Sequence, residues 1–597
     1  MSALALRRLT IALLLLAALR LAQVLCHAPL AGYANQYDMV RAHACLGLWP
    51  AAMAPGQASP EAPIAMLRGG AVDPANCHRS TDVLIAQAAF ALPRLAAWFK
   101  DTPDGEFLVS LRWVGALKAL LLVALVLLLD HLLAQVPRAR LLHAVSVAVI
   151  LADPLDTLFL HTLYTEFGAL LGAYALLAAV WLLHRRLHGR AALLLLGWGA
   201  LALALSRFQH LPVLLALAAL ALGPVGPSEA PRRLRAFALG AALLLGVASH
   251  QDAQQRIPGI PAANRADTLF GALLPASTDP EALVARLGLP SACVALGGSN
   301  WYVPRGQDLQ AACPAAFALS HAQIGWALLA EPLTALRALA IAVPQSTAWR
   351  LNYLGEVAGG VMQRVAAPSL GDAMASRALW VHWVFWGLPL LAGGLALRGL
   401  WRAQDTALPA LQLACALTIA GGWAASVFGD GYSELARHLH LAVNAALLGW
   451  LLWLASVWGS GQHRASAALT LPLVLAASWA GLGLPAASAR LTVPATDALG
   501  SAGLEQDVAG WVLAPGATVT GLALCQPPMP IAQCRHTALL PDSAVSTFFP
   551  VAGAAAAWRF QLRMPLKPGI LEAWLLHADG SQERVLRHTL REPGALP

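Results

Sequence analysis

The chain has 597 residues, of which 58% are hydrophobic and only 12% are charged. Soluble domains carry about a quarter charged residues, so this composition excludes an ordinary soluble protein and indicates a polytopic membrane protein. The formal net charge is +8, but most of the excess lies in short arginine clusters between apolar segments, a pattern that orients membrane helices. The sequence shows no basic groove interleaved with stacking aromatic residues, so nucleic-acid binding is not expected.

Apolar segments that alternate with arginine clusters predict about eleven membrane spans. Arg7 and Arg8 precede the first segment, which places the N-terminus in the cytoplasm and, with an odd number of spans, the C-terminus outside. A cleaved signal peptide is the alternative for the first segment, but no clear small-x-small cleavage site follows it. The predicted spans are residues 9–24, 111–134, 141–152, 164–184, 191–205, 211–222, 236–249, 379–397, 408–427, 439–457 and 467–483.

Two long segments between spans are expected outside the cytoplasm, residues 27–110 and 250–378. Within the first, residues 81–99 predict an amphipathic helix that lies on the membrane surface. Within the second, residues 326–343 are apolar but contain Glu331, Pro332 and Arg337, so we predict an interfacial rather than a spanning segment.

Six of the eight cysteines fall into pairs, each pair within one segment that is expected to be external. The pairs are Cys45 with Cys77, Cys293 with Cys313, and Cys525 with Cys534. Their common side of the membrane predicts three disulfides in an oxidising compartment such as a bacterial periplasm. Six free thiols are the alternative, because sequence alone cannot prove pairing.

The composition changes near residue 487. Apolar runs become short, and residues 571–576 and 583–586 flank a turn sequence, Asp579-Gly580, that favours a β-hairpin. We therefore predict two domains: a membrane-embedded helix bundle, residues 1–486, and a small extracytoplasmic β-sandwich, residues 487–597, linked internally by Cys525 and Cys534. A structural role for the second domain is as compatible with the sequence as glycan binding.

Asp38 and Arg41 follow the first span, and their spacing of three residues would put both on one face of a helix. An ionisable pair at the edge of a membrane is costly without partners, which makes it a candidate functional site, although a solvated loop is the alternative. Other isolated ionisable residues are expected on the same side of the membrane. They are Asp153, Asp156, His161, Glu166, Arg207, His210, Arg256, Arg265, Asp267, Asp430, Glu434, Arg437 and His438.

Acidic and basic groups that arrive together suit an anionic substrate whose reaction needs a base, and a polyprenyl-phosphate-linked sugar meets both conditions. Phosphate is a good leaving group, so transfer requires one carboxylate to accept the acceptor proton and cations to stabilise the departing phosphate. We predict Asp38 as the catalytic base. The predicted substrate-binding residues are Tyr37, Arg41, Tyr164, Glu166, Arg207, Arg256, Asn264, Arg265, Asp430, Arg437 and His438, with Arg207, Arg256 and Arg265 as the phosphate candidates. A structural ion pair is the alternative for each charged residue.

Six short segments carry a family resemblance: residues 35–41 (NQYDMVR), 161–166 (HTLYTE), 264–274 (NRADTLFGALL), 279–283 (DPEAL), 287–289 (LGL) and 429–439 (GDGYSELARHL). In these segments the chain resembles bacterial hexose transferases of glycan biosynthesis of the WsfD type, and more distantly the GT-C superfamily of membrane glycosyltransferases. The resemblance implies a mostly α, GT-C-like helix bundle with an acidic residue in its first external loop, the position of Asp38. Many GT-C enzymes have a second acid beside the first, whereas Asp38 lies between Tyr37 and Met39.

The resemblance also implies a polyprenyl-phosphate-linked hexose as donor and a cell-surface glycan as acceptor, at the external face of a bacterial inner membrane. Some GT-C enzymes use a divalent cation, but no tight carboxylate cluster in this sequence requires one, and no metal ligands are assigned. Two alternatives stay open: a flippase for lipid-linked glycans and a non-enzymatic envelope assembly protein. The predicted spans carry few charges at their centres, which disfavours a transporter.

Overall fold

The structure is a computed structural model. It describes residues 3–33, 36–51, 65–103, 106–223, 230–301, 306–346, 349, 351, 354–357, 369–370, 374, 379–400, 406–432, 434–458, 488–492, 505–513, 519–526, 529–541, 557–565 and 569–590.

The first 458 residues are mainly helical. The helices are α1 Ala3–Leu25, α2 Gln36–Leu46, α3 Thr81–Phe99, α4 Arg112–Leu132, α5 Pro137–Ser146, α6 Pro154–Thr157, α7 Glu166–Arg185, α8 Gly189–Ala204, α9 Leu211–Leu222, α10 Arg232–Arg256, α11 Gly259–Ala266, α12 Leu274–Ala276, α13 Pro280–Arg286, α14 Gly306–Ala312, α15 His321–Ala330, α16 Pro332–Gln345, α17 Leu379–Leu400, α18 Ala407–Asp430, α19 Leu435–His438 and α20 His440–Trp458. Two π-helical segments interrupt them, Val147–Leu151 after α5 and Asp267–Leu273 between α11 and α12. Short strands β1 Ala31–Tyr33 and β5 Glu356–Val357 pair, and β2 Leu48–Pro50, β3 Met66–Gly69 and β4 Leu108–Ser110 form a small sheet.

Seven of the described helices are long and apolar enough to cross a membrane. They are Leu4–Leu25, Thr81–Phe99, Arg112–Leu132, Glu166–Arg185, Arg232–Arg256, Trp380–Arg398 and Ala407–Asp430. Helices α15 and α16 pass the same test as a pair but are bent by 103° at their junction, so they form either a broken span or a re-entrant loop. Three apolar helices are shorter: Gly189–Ala204, Phe208–Leu222 and His440–Ser456.

These helices support a multi-pass membrane protein, with seven or eight spans by length and composition among the described residues instead of the eleven expected. Two of the differences have a simple origin. The predicted span 141–152 is divided between α5 and the π-helical segment that follows it, and α3 has the length and apolar composition of a span although a surface helix was expected. The predicted eleventh span, 467–483, lies outside the described residues.

Buried ion pairs connect the helices, among them Lys118 with Asp82 and Arg20 with Asp153. Lys118 of α4 has its Nζ 2.5 Å from Asp82 Oδ1 of α3, and it also donates to the Thr162 carbonyl at 2.8 Å. Arg20 of α1 lies 3.3 Å from Asp153. Lys118 lies inside the candidate span Arg112–Leu132, where little charge was expected. A buried cation with a carboxylate and carbonyl partners is satisfied within the fold, so it fixes helix packing without requiring a transport role.

The C-terminal strands form two four-stranded antiparallel sheets. The strands are β6 Ser488–Thr492, β7 Glu505–Leu513, β8 Val519–Cys525, β9 Arg535–Thr537, β10 Leu540–Pro541, β11 Ala557–Pro565, β12 Gly569–His577 and β13 Gln582–Leu590. The strand orders are β10-β11-β7-β6 and β13-β12-β8-β9. Val512 and Phe560 of the first sheet share one buried cluster with Leu524 and Leu575 of the second. The hairpin predicted at Asp579-Gly580 is confirmed by the pairing of β12 with β13.

All three predicted disulfides are present: Cys45–Cys77, Cys293–Cys313 and Cys525–Cys534. The prediction of pairing is therefore confirmed. The two remaining cysteines, Cys26 and Cys415, are free.

Candidate functional site

One cavity collects ionisable residues from segments that are far apart in the chain. Its volume is about 630 Å³, within the usual range of small-molecule sites. The polar residues that line it are Asp38, Arg41, His78, Ser80, Tyr164, Thr165, Arg207, Gln209, His250, Gln254, Asn264, Asp267, Asp430, Glu434, Arg437 and His438. Phe208, Ile257, Ile260, Trp301 and Phe428 supply much of its apolar wall. The cavity thus offers both signs of charge beside apolar surface.

Asp38 lies in the first turn of α2, where a carboxylate is favoured by the exposed backbone N–H groups of a helix. Its Oδ1 is 3.0 Å from Arg41 Nη2, one turn later on the same helix, as the sequence spacing predicted. Its Oδ2 accepts a hydrogen bond from Arg437 Nη1. Burial on its own raises the pKa of Asp38, but the attraction of Arg437, Arg41 and Arg207 outweighs it and lowers that pKa well below the usual range. Asp38 is therefore a carboxylate that Arg41 and Arg437 stabilise in its charged form.

Arg437 is the centre of an ion network in the floor of the cavity. Besides Asp38, its guanidinium lies 2.8 Å from Glu434 and 3.7 Å from Glu166, and it stacks over the ring of Tyr164 at 5.1 Å. Burial alone lowers the pKa of Arg437, but the surrounding carboxylates raise it well above its ordinary value. The network holds Arg437 as a permanent cation.

Arg207, which also lines the cavity, is the centre of a second group of polar contacts. Its Nη1 lies 3.1 Å from Glu166 Oε1 and donates to His438 Nδ1 at 3.2 Å. The other ring nitrogen of His438 is 2.6 Å from Asp430 Oδ2. Asn264, with its amide turned so that the nitrogen faces the carboxylate, donates to Asp430 Oδ1 at 3.0 Å. Glu166, which begins α7, contacts both Arg207 and Arg437 and thus connects the two groups of contacts.

Asp267 is an acid of a different kind in the same cavity. Its side chain is nearly fully buried, and its Oδ1 accepts the backbone N–H of Trp301 at 2.6 Å. Among the described residues no cation pairs with it. Burial raises the pKa of Asp267 to about 7, the Trp301 hydrogen bond opposes that rise, and the nearby Asp430 adds to it.

Most of the predicted site residues meet at this cavity. Those that line it are Asp38, Arg41, Tyr164, Arg207, Asn264, Asp430, Arg437 and His438. Glu166 does not line it but lies directly behind two of its arginines. The backbone of Tyr37 belongs to α2, while its side chain lies outside the described residues.

Two predicted phosphate ligands lie elsewhere. Arg256, at the end of α10, pairs with Asp252 at 2.8 Å and donates to the Pro74 carbonyl. Arg265 lies on α11 one residue from the lining residue Asn264, and its Nη1 donates to the Phe317 carbonyl at 2.6 Å. Each guanidinium donates to a partner outside the cavity lining and neither residue lines the cavity, so the geometry does not support their assignment to phosphate.

Several lining residues were not predicted to bind substrate. Asp267 and Glu434 were expected only as isolated ionisable residues on the external side, and His78 and His250 were not assigned to the site. Asp267 follows Asn264 by three residues in one of the segments that carry the family resemblance, which was a usable signal. His78 and His250 gave none, since neither stands in a motif. Their rings are 5.6 Å apart, and burial, followed by the positive neighbours, lowers the pKa of His78 to about 3.

Comparison with family models gives one result, a match of residues 85–462 to the YfdI N-terminal transmembrane domain. That match covers more than half of the chain. The protein belongs to this family. No curated protein and no solved structure matches the chain. Within the YfdI N-terminal transmembrane domain lie Tyr164, Arg207, Asp267 and Arg437, whereas Asp38 precedes the matched region. The similarity to WsfD-type transferases remains a hypothesis.

No group of three or more His, Cys, Asp or Glu side chains in the described ranges has an arrangement that could hold a metal ion. The carboxylates of the cavity instead take arginine, histidine, amide or backbone partners. The arrangement can bind an anion through guanidinium groups and can hold a polar molecule against carboxylate and amide groups.

Proposed function

We propose that the protein is an integral membrane glycosyltransferase that moves a hexose from a polyprenyl-phosphate donor to a cell-surface glycan. The observation that supports this most directly is the single cavity in which guanidiniums and carboxylates meet beside apolar wall residues. Membership of a family of transmembrane domains is consistent with such a role. Binding of a glycosyl phosphate needs cations for the phosphate and polar groups for the sugar, and this cavity has both.

Arg41 and Arg207 are the best placed residues for the donor phosphate. Their side chains are 30% and 16% exposed, compared with 7% for Arg437, which is enclosed by its carboxylate partners. Guanidinium groups bind phosphate through paired N–H donors, so two partly accessible arginines can hold the donor and stabilise the leaving phosphate as its charge develops. Asp38 and Glu166 then orient these cations.

The donor sugar would lie against Asn264 and Asp430, whose amide and carboxylate can bind hydroxyl groups. The prenyl chain of the donor would leave the cavity toward the bilayer. We further propose that the cavity opens on the extracytoplasmic side of a bacterial inner membrane. Cys77, which is disulfide-bonded, directly precedes the lining residue His78, and disulfides favour an oxidising compartment.

The proposal assigns glycosyl transfer to the membrane-embedded domain, residues 1–486. Residues 487–597 would form a separate extracytoplasmic domain that supports the enzyme or binds glycan. We further propose that the protein is a hexose transferase of the WsfD type, which would use a polyprenyl-phosphate-linked hexose as donor and a glycan of the cell envelope as acceptor.

The test uses the full chain in proteoliposomes with radiolabelled polyprenyl-phosphate-linked glucose, galactose or mannose, and envelope glycan from a strain that lacks the protein. We expect the wild type to transfer one of these sugars. Arg207→Gln should weaken donor binding by about 10- to 100-fold, since a hydrogen bond to a charged group contributes about 1.5–3 kcal/mol. Arg256→Gln is the matched control, because Arg256 pairs outside the cavity.

Two results would overturn the proposal. One is unchanged donor binding and transfer in Arg207→Gln. The other is absence of transfer by the wild type together with lipid-linked sugar that accumulates on the inner leaflet of the deletion strain, which would identify a flippase. A scaffold protein would tolerate Asp38→Asn without any change in the glycan, whereas an enzyme with this site would lose transfer.

A further inference from the structure

The proposed transfer needs a group that accepts the proton of the acceptor hydroxyl, and the environment of Asp38 suits that task poorly. Both of its oxygens are engaged, Oδ1 by Arg41 at 3.0 Å and Oδ2 by Arg437. Two cations stabilise the charged form of Asp38, and a carboxylate so stabilised is a weak base. Its contacts instead suit the positioning of the two arginines.

Asp267 lines the same cavity and lacks these constraints. Its Oδ1 is fixed by the Trp301 N–H, and Oδ2 has no hydrogen-bond or ion-pair partner among the described residues. The residue is only 3% exposed and still lines the cavity, so its carboxylate is largely shielded from water. One oxygen is thus anchored by the backbone, which leaves the other to receive a proton.

The local backbone is built to hold this carboxylate. Asp267 begins a seven-residue π-helical segment, Asp267–Leu273, a rare feature that is frequent at functional sites. Gly431 packs against its backbone with a positive φ of +62°, and a Cβ at that glycine would lie 2.1 Å from the Asp267 carbonyl oxygen. The close approach of the two segments brings Asp430 next to Asp267, and Asp430 is already engaged by His438 and Asn264.

We propose that Asp267 is the catalytic base of the transfer and that Asp38 is a positioning residue for Arg41 and Arg437. This inference rests on the proposed function. In the step, the acceptor oxygen forms a bond to the anomeric carbon while the bond from that carbon to the phosphate oxygen breaks. The acceptor proton passes to Asp267 Oδ2, and the electron pair of the broken bond leaves with the polyprenyl phosphate, beside Arg41 and Arg207. The carboxylate becomes a carboxylic acid, and the phosphodiester monoanion becomes a phosphate dianion, so charge and atoms balance.

The pH dependence of transfer follows from the same environment. Burial raises the pKa of Asp267 to about 7, and a base acts only when it is deprotonated, so the rate should fall as the pH drops below about 7. The titratable and charged side chains that border the cavity with Asp267 are Asp38, Arg41, His78, Arg207, His250, Asp430, Glu434, Arg437 and His438. On the helices packed against the π-helical segment, Arg265 is directed to the Phe317 carbonyl and Arg337 is exposed.

The experiment compares Asp267→Asn, Asp267→Glu and the control Asp279→Asn, with the labelled donors and acceptor glycan described above. Asp279 caps α13 outside the cavity lining, and asparagine can retain that cap. Asp267→Asn should lower the rate at saturating donor by about 10²- to 10⁴-fold while donor binding changes less than twofold. Asp267→Glu should recover part of the rate. The pH below which its rate falls should differ from that of the wild type.

Failure of the inference and failure of the proposed function give different results. A wild type that transfers sugar, together with Asp267→Asn at more than a tenth of its rate, overturns the inference alone. If Asp267→Asn does not fold, the wild-type profile decides, because a rate that stays constant between pH 8 and pH 5.5 contradicts a base with these surroundings. A wild type that transfers no sugar overturns the proposed function and this inference with it.

Discussion

Replacement of Arg437 by methionine should strongly destabilise the helical domain. The guanidinium is 7% exposed and serves Asp38, Glu434 and Glu166 together. Removal of one partner from a buried ion pair typically costs about 3–5 kcal/mol, because the remaining charges stay desolvated. Asp38 retains 21% exposure and keeps Arg41, so we expect a value near the lower end, about 3 kcal/mol.

The stability that Arg437→Met loses should also depend on pH, and it should be smaller at acidic pH. In the wild type the lowered pKa of Asp38 contributes stability that is present above the unfolded-state pKa and is lost as the pH falls through the folded-state pKa. Without Arg437, Asp38 loses the largest of the three arginine attractions that lower its pKa, so its pKa is higher than in the wild type and acidification more readily protonates the carboxylate that has lost its partner. The difference between wild type and Arg437→Met should therefore shrink from pH 7.5 toward pH 5.

Unfolding in mixed detergent and SDS, followed by tryptophan fluorescence, would measure this loss. Arg256→Met is the matched control, because the Arg256–Asp252 pair is solvent-exposed and exposed pairs contribute about 0.2–1 kcal/mol. Arg437→Lys should lie between the two, since one ammonium retains the charge but not the branched geometry that reaches three carboxylates. If Arg437→Met costs no more than Arg256→Met at pH 7.5, the ion network does not stabilise the fold as argued.

Two further predictions concern the packing around the site. Lys118→Met alone should cost about 3–5 kcal/mol of unfolding free energy, whereas the double variant Lys118→Met with Asp82→Asn should recover much of that loss; additive losses in the same SDS titration would contradict a coupled buried pair. Gly431→Ala should reduce transfer more than tenfold, because the added Cβ collides with the Asp267 backbone. Gly580→Ala is its control, since that glycine also has a positive φ but has open space around it, and equal activity of the two variants would show that the contact at Gly431 does not matter.

The parts of the structure that were predicted correctly depend on residues that are close together in the sequence. Asp38 and Arg41 share a helical turn, so their contact depends only on nearby sequence. Each cysteine pair belongs to one segment, and the turn residues at Asp579-Gly580 specify their own hairpin. The span count differs from the prediction in part because sequence composition does not show where a π-helical segment divides an apolar stretch, as it does within residues 141–152.

The sequence by itself predicted a multi-pass membrane protein with cysteines placed to pair, C-terminal strands and an acid–base pair after its first helix, since composition and short-range spacing specify those features. Tertiary structure decided which charges meet. Asp38 and Arg437 are 399 residues apart, and only helix packing brings them together. The same packing directs Arg265 to the Phe317 carbonyl outside the cavity lining, and it places Asp267 beside the cavity with an Oδ2 that has no hydrogen-bond or ion-pair partner among the described residues. The environment that makes one carboxylate a fixed anion and another a candidate base is a property of burial and neighbouring charge, which exists only in the folded chain.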